Sequence, residues 1–209
     1  LIGATGFVGT ALLNELLQRG HRVTALARDP AKLPLREGLT VVQANATDAA
    51  QVAQAVRGVD AVASAYNPGW THPDLHDEFL RGSRAITAGV KAAGVQRLLV
   101  VGGAGSLYVA PGVQLVDTPQ FPAEWKNGAL AAREALNLLR QESPLQWTFL
   151  SPAILLEPSE RTGHYRLGTE SPLMNGDQPG KISVADLAVA IVDELEAPRH
   201  LQQRFTVAY

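Results

Sequence analysis

The feature that most constrains the fold is a glycine-rich stretch at the start of the chain, Gly3-Ala4-Thr5-Gly6-Phe7-Val8-Gly9, which reads G-x-x-G-x-x-G. Glycine costs backbone entropy in a helix, so three glycines directly ahead of a helical pattern indicate that something approaches the main chain there. In a loop between a strand and a helix, the first glycine permits a tight turn and the second lets backbone N–H groups reach a diphosphate. The third glycine allows close helix–strand packing. The spacing therefore predicts a dinucleotide-binding loop, with a purely structural turn as the alternative.

Short β-branched runs alternate with longer helical patterns along the rest of the chain. Strands are predicted over 1–2, 21–26, 40–44, 60–64, 97–101, 147–150 and 204–207, and helices over 7–19, 48–57, 75–93, 123–141 and 184–196. Apolar strands that alternate with helices are typical of a parallel sheet buried on both faces. We therefore predict an α/β fold of the Rossmann-like, doubly wound type. Its sheet is mostly parallel with helices on both faces, and a small irregular lobe follows at the C-terminal end.

Two segments lack a regular pattern, a Gly/Pro-rich loop over 102–122 and an irregular stretch over 151–181. We expect a single NAD(P)-binding domain over 1–209, in which about 1–150 forms the cofactor-binding core. Residues from about 151 to 209 are expected to form the substrate-side wall with the last helix and strand, because loops on a rigid sheet commonly carry specificity.

Composition narrows the class of partner. The 209 residues include 18 Lys and Arg against 20 Asp and Glu, a net charge of -2, without the basic run that nucleic acids require. There is no cysteine for a disulfide or a thiolate metal site, and no apolar stretch is long enough for a membrane span. We expect a cytoplasmic monomer or homodimer that binds a small molecule rather than nucleic acid or a membrane. Because the sequence opens at Leu1 without Met, part of the first strand is expected to be missing.

Two histidines, His72 and His76, lie four residues apart, a spacing that can place two imidazoles on one helical face for metal binding. Pro73 predicts that the helix starts between them, and the sequence offers no third ligand. We therefore predict a solvated helix N-terminus and no metal site.

The residue that closes the second strand is Arg28, in Ala27-Arg28-Asp29-Pro30. At this position, about 20 residues beyond the loop, an acidic residue would bind the ribose 2′-hydroxyl of NAD. A guanidinium instead pairs with the 2′-phosphate of NADP, so Arg28 favours NADP(H), while NAD(H) stays open. The alternative is a solvated arginine beside Asp29, which would cap a helix that starts at Pro30.

Four segments carry a resemblance to a known family: the glycine loop, the strand end Leu26–Pro30, the stretch Val42–Asp48 and the late segment Ile182–Ala188. Together they resemble the atypical short-chain dehydrogenase/reductases. Within that group the chain is most similar to NAD(P)H-binding proteins called NADH-flavin reductase-like, which are related to NmrA-like and biliverdin-reductase-B-like proteins.

The resemblance implies contacts between the cofactor and particular strand ends. It implies that Asn45 borders the adenine, with Asp48 as a further candidate, and that the backbone of Ser151-Pro152-Ala153 approaches the nicotinamide. Asp48, nearby, has an alternative role as the N-cap of the following helix, which we favour. The residues predicted to contact the cofactor are Gly3, Thr5, Gly6, Phe7, Val8, Gly9, Arg28, Asn45, Ala46, Ser64, Ala65, Gly102, Ser151, Pro152 and Ala153.

Many short-chain dehydrogenases use a Tyr-x-x-x-Lys pair in the helix after the long loop. Alignment by eye places Trp125 at the tyrosine position and Ala129 at the lysine position, so both functional groups are absent. Neither alcohol oxidation nor sugar epimerisation by that mechanism is therefore expected. Hydride transfer to a flavin or quinone survives the loss, because a delocalised acceptor takes its proton from solvent. A flavin would be a substrate rather than a bound group, since no second nucleotide loop is evident.

The carboxyl ends of the strands supply the remaining candidates, because doubly wound sheets bind ligands there. Ser106 is the best polar group near the expected hydride site, with loop capping as an equal alternative. The predicted substrate-pocket residues are Tyr66, Tyr108, Trp125 and His164. Tyr108 and Trp125 could stack on a planar acceptor, although wall packing is the more common role for such aromatic residues.

Three functions stay open on the sequence. The first is NADPH-dependent reduction of a flavin, quinone or similar planar acceptor. The second, favoured by the missing Tyr and Lys and implied by the NmrA-like resemblance, is a non-catalytic sensor of the NADP/NADPH ratio. The third is a short-chain epimerase or dehydratase with rewired catalytic groups.

Overall fold

The structure is a computed structural model that describes residues 1–209. Its helices are α1 (Phe7–Gln18), α2 (Ala49–Ala55), α3 (Leu75–Ala92), α4 (Ala123–Leu139) and α5 (Val184–Glu196). Its strands are β1 (Val23–Ala27), β2 (Leu39–Gln43), β3 (Ala61–Ser64), β4 (Arg97–Val101), β5 (Tyr108–Ala110), β6 (Val113–Gln114), β7 (Gln146–Ser151), β8 (Leu155–Glu157), β9 (Arg166–Gly168), β10 (Met174–Asn175), β11 (Gln178–Pro179), β12 (Lys181–Ser183) and β13 (Gln203–Ala208).

The main sheet is doubly wound, as predicted. Ile2 forms parallel bridges to Leu26 of β1 and to Ser64 of β3, so it stands where the first strand of the fold runs. The spatial order is β2, β1, Ile2, β3, β4, β7, β13 and β9. Every pairing is parallel except that between β13 and β9. The order reverses at Ile2, which is the switch point where doubly wound sheets open a crevice for a ligand.

Helices cover both faces of the sheet. On one face α1 packs against α5, and on the other α3 packs against both α2 and α4. Neighbouring residues of one strand serve opposite cores because side chains alternate along a strand. Leu150 of β7 lies in the core beneath α1 and α5, whereas Phe149 lies in the core beneath α2, α3 and α4. No helix combines the length and apolar character needed to cross a lipid bilayer.

The predicted helices and main strands are confirmed with ends shifted by one or two residues. The second predicted strand starts later than expected, at Val23, because α1 closes with a Gly20 turn. Gly20 has φ +83° and the His21 N–H donates to the carbonyl of Leu16 at 3.0 Å, so residues 19–22 complete the helix end.

The two segments predicted to be irregular contain short strands. Within 102–122, β5 and β6 form an antiparallel pair. Within 151–181 and the two residues after it, β8 pairs with β12, β10 pairs with β11, and β9 adds an antiparallel edge to the main sheet. These strands have two or three residues each, too few for a periodic pattern to reveal them.

Candidate functional site

The first and third glycines of the opening loop are required by the chain's own backbone. Gly3 has φ +83°, and a Cβ there would lie 2.4 Å from the carbonyl oxygen of Ala65. A Cβ on Gly9 would lie 1.9 Å from the carbonyl oxygen of Gly3. The approach of the segment after β3 to Gly3, and of α1 to the Gly3 carbonyl, therefore excludes a side chain at either position.

Gly6 differs from its two neighbours in the motif. Its φ is -83°, which any residue adopts, and the nearest atom to an added Cβ is the carbonyl oxygen of Gly3 at 3.4 Å, an ordinary contact. The residue is also exposed. Nothing within the chain requires glycine at position 6. The space beside it is therefore open to a ligand.

The amides that face this space are unpaired. Gly6 is the N-cap of α1 and supplies no side-chain cap. The first helical hydrogen bond runs from the Thr10 N–H to the Gly6 carbonyl at 2.8 Å, so the N–H groups of Phe7, Val8 and Gly9 have no acceptor in the chain. The first turn of this 12-residue helix also carries no acidic residue. Unpaired amides together with the positive end of the helix dipole form a site suited to an anion such as a diphosphate.

The strand end beyond the loop presents a free cation. Arg28 follows β1, is exposed, and its guanidinium makes no ion pair or hydrogen bond with the chain. The neighbouring Asp29 accepts a hydrogen bond from the Ala31 N–H at 3.2 Å and caps a short 3₁₀ helix over Pro30–Lys32. The capping role of Asp29 and a free Arg28 thus coexist, which leaves the guanidinium available to a phosphate.

After β2 the polar side chains are mostly engaged locally. Asp48 caps α2, accepting from the N–H groups of Ala50 at 2.9 Å and Gln51 at 3.1 Å, and the hydrogen bonds from Gln51 lower its pKa. Asp48 therefore has the structural role that the sequence favoured. Asn45 is exposed, with its side-chain oxygen accepting from the Thr47 N–H at 3.0 Å, and Ala46 is half-buried beside it.

The segment that leaves β3 begins against the glycine loop. Ser64 is buried, and the Ala65 N–H donates to the Ile2 carbonyl at 2.9 Å. Tyr66 turns away from this edge: a Cβ on Gly82 of α3 would lie 2.2 Å from the Tyr66 ring, and the hydroxyl donates to the Glu78 carbonyl at 3.2 Å. Burial raises the pKa of Tyr66 to about 12. The Tyr66 ring therefore packs on α3, where it lines a cavity together with Ser64 and Phe79.

Ser106 lies in the core rather than at an open edge. It is 2% exposed, and its hydroxyl accepts from the Arg204 guanidinium at 2.9 Å. Arg204 of β13 is itself buried, forms an ion pair with Glu170, and lies 5.9 Å from the centre of the Tyr108 ring. These contacts bury Ser106 beside the Arg204 guanidinium, and the half-buried Tyr108 ring lies next to the same group. Neither Arg204 nor Glu170 was identified from the sequence.

The ends of β4 and β7 meet at the carboxyl edge. A Cβ on Gly102 would lie 1.9 Å from the Phe149 ring, so core packing already requires this glycine. Ser151 is fully buried and followed by buried Pro152 and Ala153. The Ser151 hydroxyl and that of its register partner on β13, Thr206, are both buried without a hydrogen-bond partner.

Trp125 and His164 lie in different layers. Trp125 is in the first turn of α4 and is 44% exposed. His164 is exposed in a loop held on α5, where the Asp186 carboxylate accepts from the N–H groups of Thr162 at 2.9 Å and Gly163 at 2.7 Å. The structure therefore does not bring these two predicted pocket residues together.

Two carboxylates fix that loop. Burial alone would raise the pKa of Asp186, but the hydrogen bonds from Thr162, Tyr209 and Gly163 outweigh it and lower the pKa. The Arg161 guanidinium hydrogen-bonds to the buried Glu15 of α1 at 2.8 Å and lowers the pKa of that carboxyl.

The pair His72 and His76 does not form a metal centre. Helix α3 begins at Leu75, between the two residues, as expected from Pro73. The Nδ1 of His72 accepts from the Asp74 N–H at 3.1 Å, and the structure contains no group of three His, Asp or Glu residues placed to hold a metal ion.

Comparison with known proteins agrees with this geometry. A family model described as NAD(P)H-binding matches residues 3–198. The uncharacterized protein YwnB of Bacillus subtilis is 40% identical over 99% of this chain and 96% of its own length.

Two solved structures are also similar over nearly the whole chain. A "putative epimerase" of Bacteroides thetaiotaomicron has a TM-score of 0.93 and 45% identity, covering 100% of this chain and 94% of that one. A "putative NADH-flavin reductase" of Streptococcus pneumoniae has a TM-score of 0.87 and 36% identity, covering 99% of this chain and 96% of that one.

Proposed function

The chain belongs to the NAD(P)H-binding family, and from that premise we propose that it is an NAD(P)H-dependent oxidoreductase that reduces a flavin, a quinone or a similar planar acceptor. The observation that carries the proposal is Gly6. No packing contact within the chain requires glycine at this position, and Gly6 lies beside three unpaired amides at the positive end of α1. A dinucleotide diphosphate fits that arrangement in both shape and charge.

In this proposal the chain holds and orients the two reactants. The amides of Phe7 and Val8 bind the diphosphate, and the carboxyl ends of β4 and β7 position the nicotinamide half. When bound, the reduced nicotinamide supplies a hydride, which is two electrons and one proton. A flavin or quinone would take up that hydride together with one proton from solvent.

The available proton donors favour an acceptor that needs no acid from the protein, because they are either missing or engaged within the chain. Trp125 and Ala129 offer no proton, and a Cβ on Gly105 would lie 2.8 Å from the Ala129 Cβ, so this part of α4 is closely packed. Ser106 is engaged by Arg204, and the Tyr66 hydroxyl donates to a backbone carbonyl. Carbonyl reduction commonly relies on a positioned acid, whereas a flavin or quinone delocalises the added charge.

Arg28 supports a preference for NADPH. Its guanidinium is unpaired at the strand end where the adenosine ribose lies in doubly wound folds. A 2′-phosphate there gains a charge-assisted contact that the 2′-hydroxyl of NADH cannot make.

The name of the Streptococcus pneumoniae relative agrees with flavin as the acceptor. The test is to mix the protein with NADPH and either FMN or menadione and to follow the loss of nicotinamide absorbance. Turnover supports the proposal.

A second candidate function, a sensor of the NADP/NADPH ratio, is favoured by the missing Tyr and Lys, since Trp125 and Ala129 stand at those positions. Tight binding without oxidation, with unequal affinities for NADP and NADPH, would support the sensor and contradict the reductase.

A further inference from the structure

Two exposed tryptophans meet at the carboxyl edge of the sheet. Trp70, in the segment after β3, and Trp125, at the start of α4, have ring centroids 4.8 Å apart and planes at 84°. We propose that this pair, the Trp70–Trp125 corner, is the docking surface for the planar ring of the acceptor. The inference rests on the proposed function and deepens it, because it assigns the residues that recognise the acceptor and the part of the acceptor they recognise.

The exposure of the two rings separates them from core tryptophan. Trp70 is 52% exposed and Trp125 is 44% exposed, although they pack on each other, whereas Trp147 of β7 is 3% exposed. An indole ring exposed to water is unfavourable, because burial of apolar surface lowers the free energy. Two half-exposed indoles side by side therefore form an apolar surface that a ligand would bury favourably.

The corner lies within reach of the cofactor loop. Ala65, where the segment leaves β3, contacts Gly3, and five residues later Trp70 contacts α4. Five residues span at most about 18 Å, so the segment bridges the space from the glycine loop to α4 over the carboxyl edge. A ring that docks on the corner lies on the same edge as the nicotinamide half of the cofactor.

The geometry selects a flat ring. With the indole planes near 90°, a planar molecule can stack on one indole face while its rim meets the other ring, and aromatic quadrupoles favour both contacts. Neither indole provides a charge, so the ring is recognised rather than a phosphate attached to it. Riboflavin and FMN, which share the isoalloxazine ring, are therefore expected to bind alike.

Gly128 provides a way to disturb the corner without removing either indole. A Cβ on Gly128 of α4 would lie 2.5 Å from Cζ3 of Trp70, so the Trp70 ring packs directly on this glycine. Alanine at this position must displace the ring. Because alanine is also the better helix former, α4 itself is not weakened by Gly128→Ala.

The experiment measures acceptor binding and turnover separately in Trp125→Ala, Trp125→Phe and Gly128→Ala. Riboflavin and FMN are titrated by flavin fluorescence in the presence of NADP⁺, which prevents turnover. Trp125→Ala and Gly128→Ala are expected to raise both the riboflavin Kd and the acceptor KM about tenfold, the scale of one lost aromatic stacking contact. KM for NADPH and Tm should stay at the wild-type values, and Trp125→Phe should retain most of the affinity.

The matched control is Leu35→Ala, which truncates a side chain that is 99% exposed in the segment between β1 and β2. An unchanged riboflavin Kd and acceptor KM in both Trp125→Ala and Gly128→Ala would overturn the inference. The proposed function would still stand if the wild type turned over. If the wild type failed to oxidise NADPH with either FMN or menadione, the proposed function would fail. The riboflavin titration would then still decide the corner: weaker binding in the variants supports it, and no binding to the wild type overturns it.

Discussion

Gly6→Ser is expected to stabilise the protein slightly while it weakens cofactor binding. The φ of -83° accommodates serine, and the added Cβ meets only the Gly3 carbonyl oxygen at 3.4 Å. Serine is a better N-cap than glycine by a few tenths of a kcal/mol. For a domain of this size that corresponds to a rise in Tm of about 1 °C.

The same substitution competes with the cofactor. A serine oxygen at the N-cap accepts from the second or third amide of the helix, which here belong to Val8 and Gly9. Each charge-assisted hydrogen bond that the diphosphate loses costs about 1.5 to 3 kcal/mol. The NADPH Kd should therefore rise roughly ten- to a hundredfold.

Calorimetric titration with NADPH and thermal unfolding followed by circular dichroism measure the two effects. Gly9→Ala is the comparison variant: its Cβ would lie 1.9 Å from the Gly3 carbonyl oxygen, so it should lower Tm. A Gly6→Ser protein that unfolds like the wild type and binds NADPH with unchanged Kd would refute the assignment of this surface to the diphosphate.

Three further predictions concern single side chains. Arg28→Ala should weaken NADPH by about 1.5 to 3 kcal/mol and leave NADH unchanged in calorimetric titrations, with the exposed Arg22→Ala as control; equal losses for both cofactors would exclude a 2′-phosphate contact. Ser106→Ala should lower the free energy of unfolding by about 1 to 3 kcal/mol, because buried Arg204 loses an acceptor. It should not slow hydride transfer in stopped-flow assays by the roughly 100-fold or more that loss of a general acid causes. A decrease in rate of that size would indicate a catalytic role for Ser106. The lowered pKa of Asp186 stabilises the fold above the ordinary carboxyl pKa of about 3.9, and this stabilisation is lost as the pH falls through the lower folded value. Asp186→Asn should therefore flatten the dependence of Tm on pH between about 5 and 2, and an unchanged slope would contradict the role of its hydrogen bonds.

Local sequence was sufficient to predict the helices and strands in which a hydrophobic pattern repeats over many residues. The helices and the parallel strands follow from hydrophobic periodicity, and the glycine spacing located the loop before any geometry was known. The distinct character of Gly6 was not accessible in this way, because it depends on the distance from a hypothetical Cβ to the Gly3 carbonyl. Sequence shows three similar glycines, and only coordinates separate the two that the fold requires from the one that it does not.

Contacts between distant segments account for what sequence reasoning missed. Ser106 is engaged by Arg204, 98 residues later in the chain, and only the register of β13 places that guanidinium beside it. Trp70 was not recognised because its partner, Trp125, lies on another element. The edge strand β9 has three residues, and its pairing with β13 is a tertiary contact rather than a local pattern.

The central claim is that main-chain amides at the start of α1 hold the cofactor diphosphate. Backbone amide NMR during titration with NADPH tests it most directly. The account predicts large, saturable shifts for the amides of Phe7 and Val8, which in Gly6→Ser require roughly ten- to a hundredfold more NADPH to saturate. The absence of binding at millimolar NADPH, or saturable binding that leaves these two amides unmoved, would contradict it.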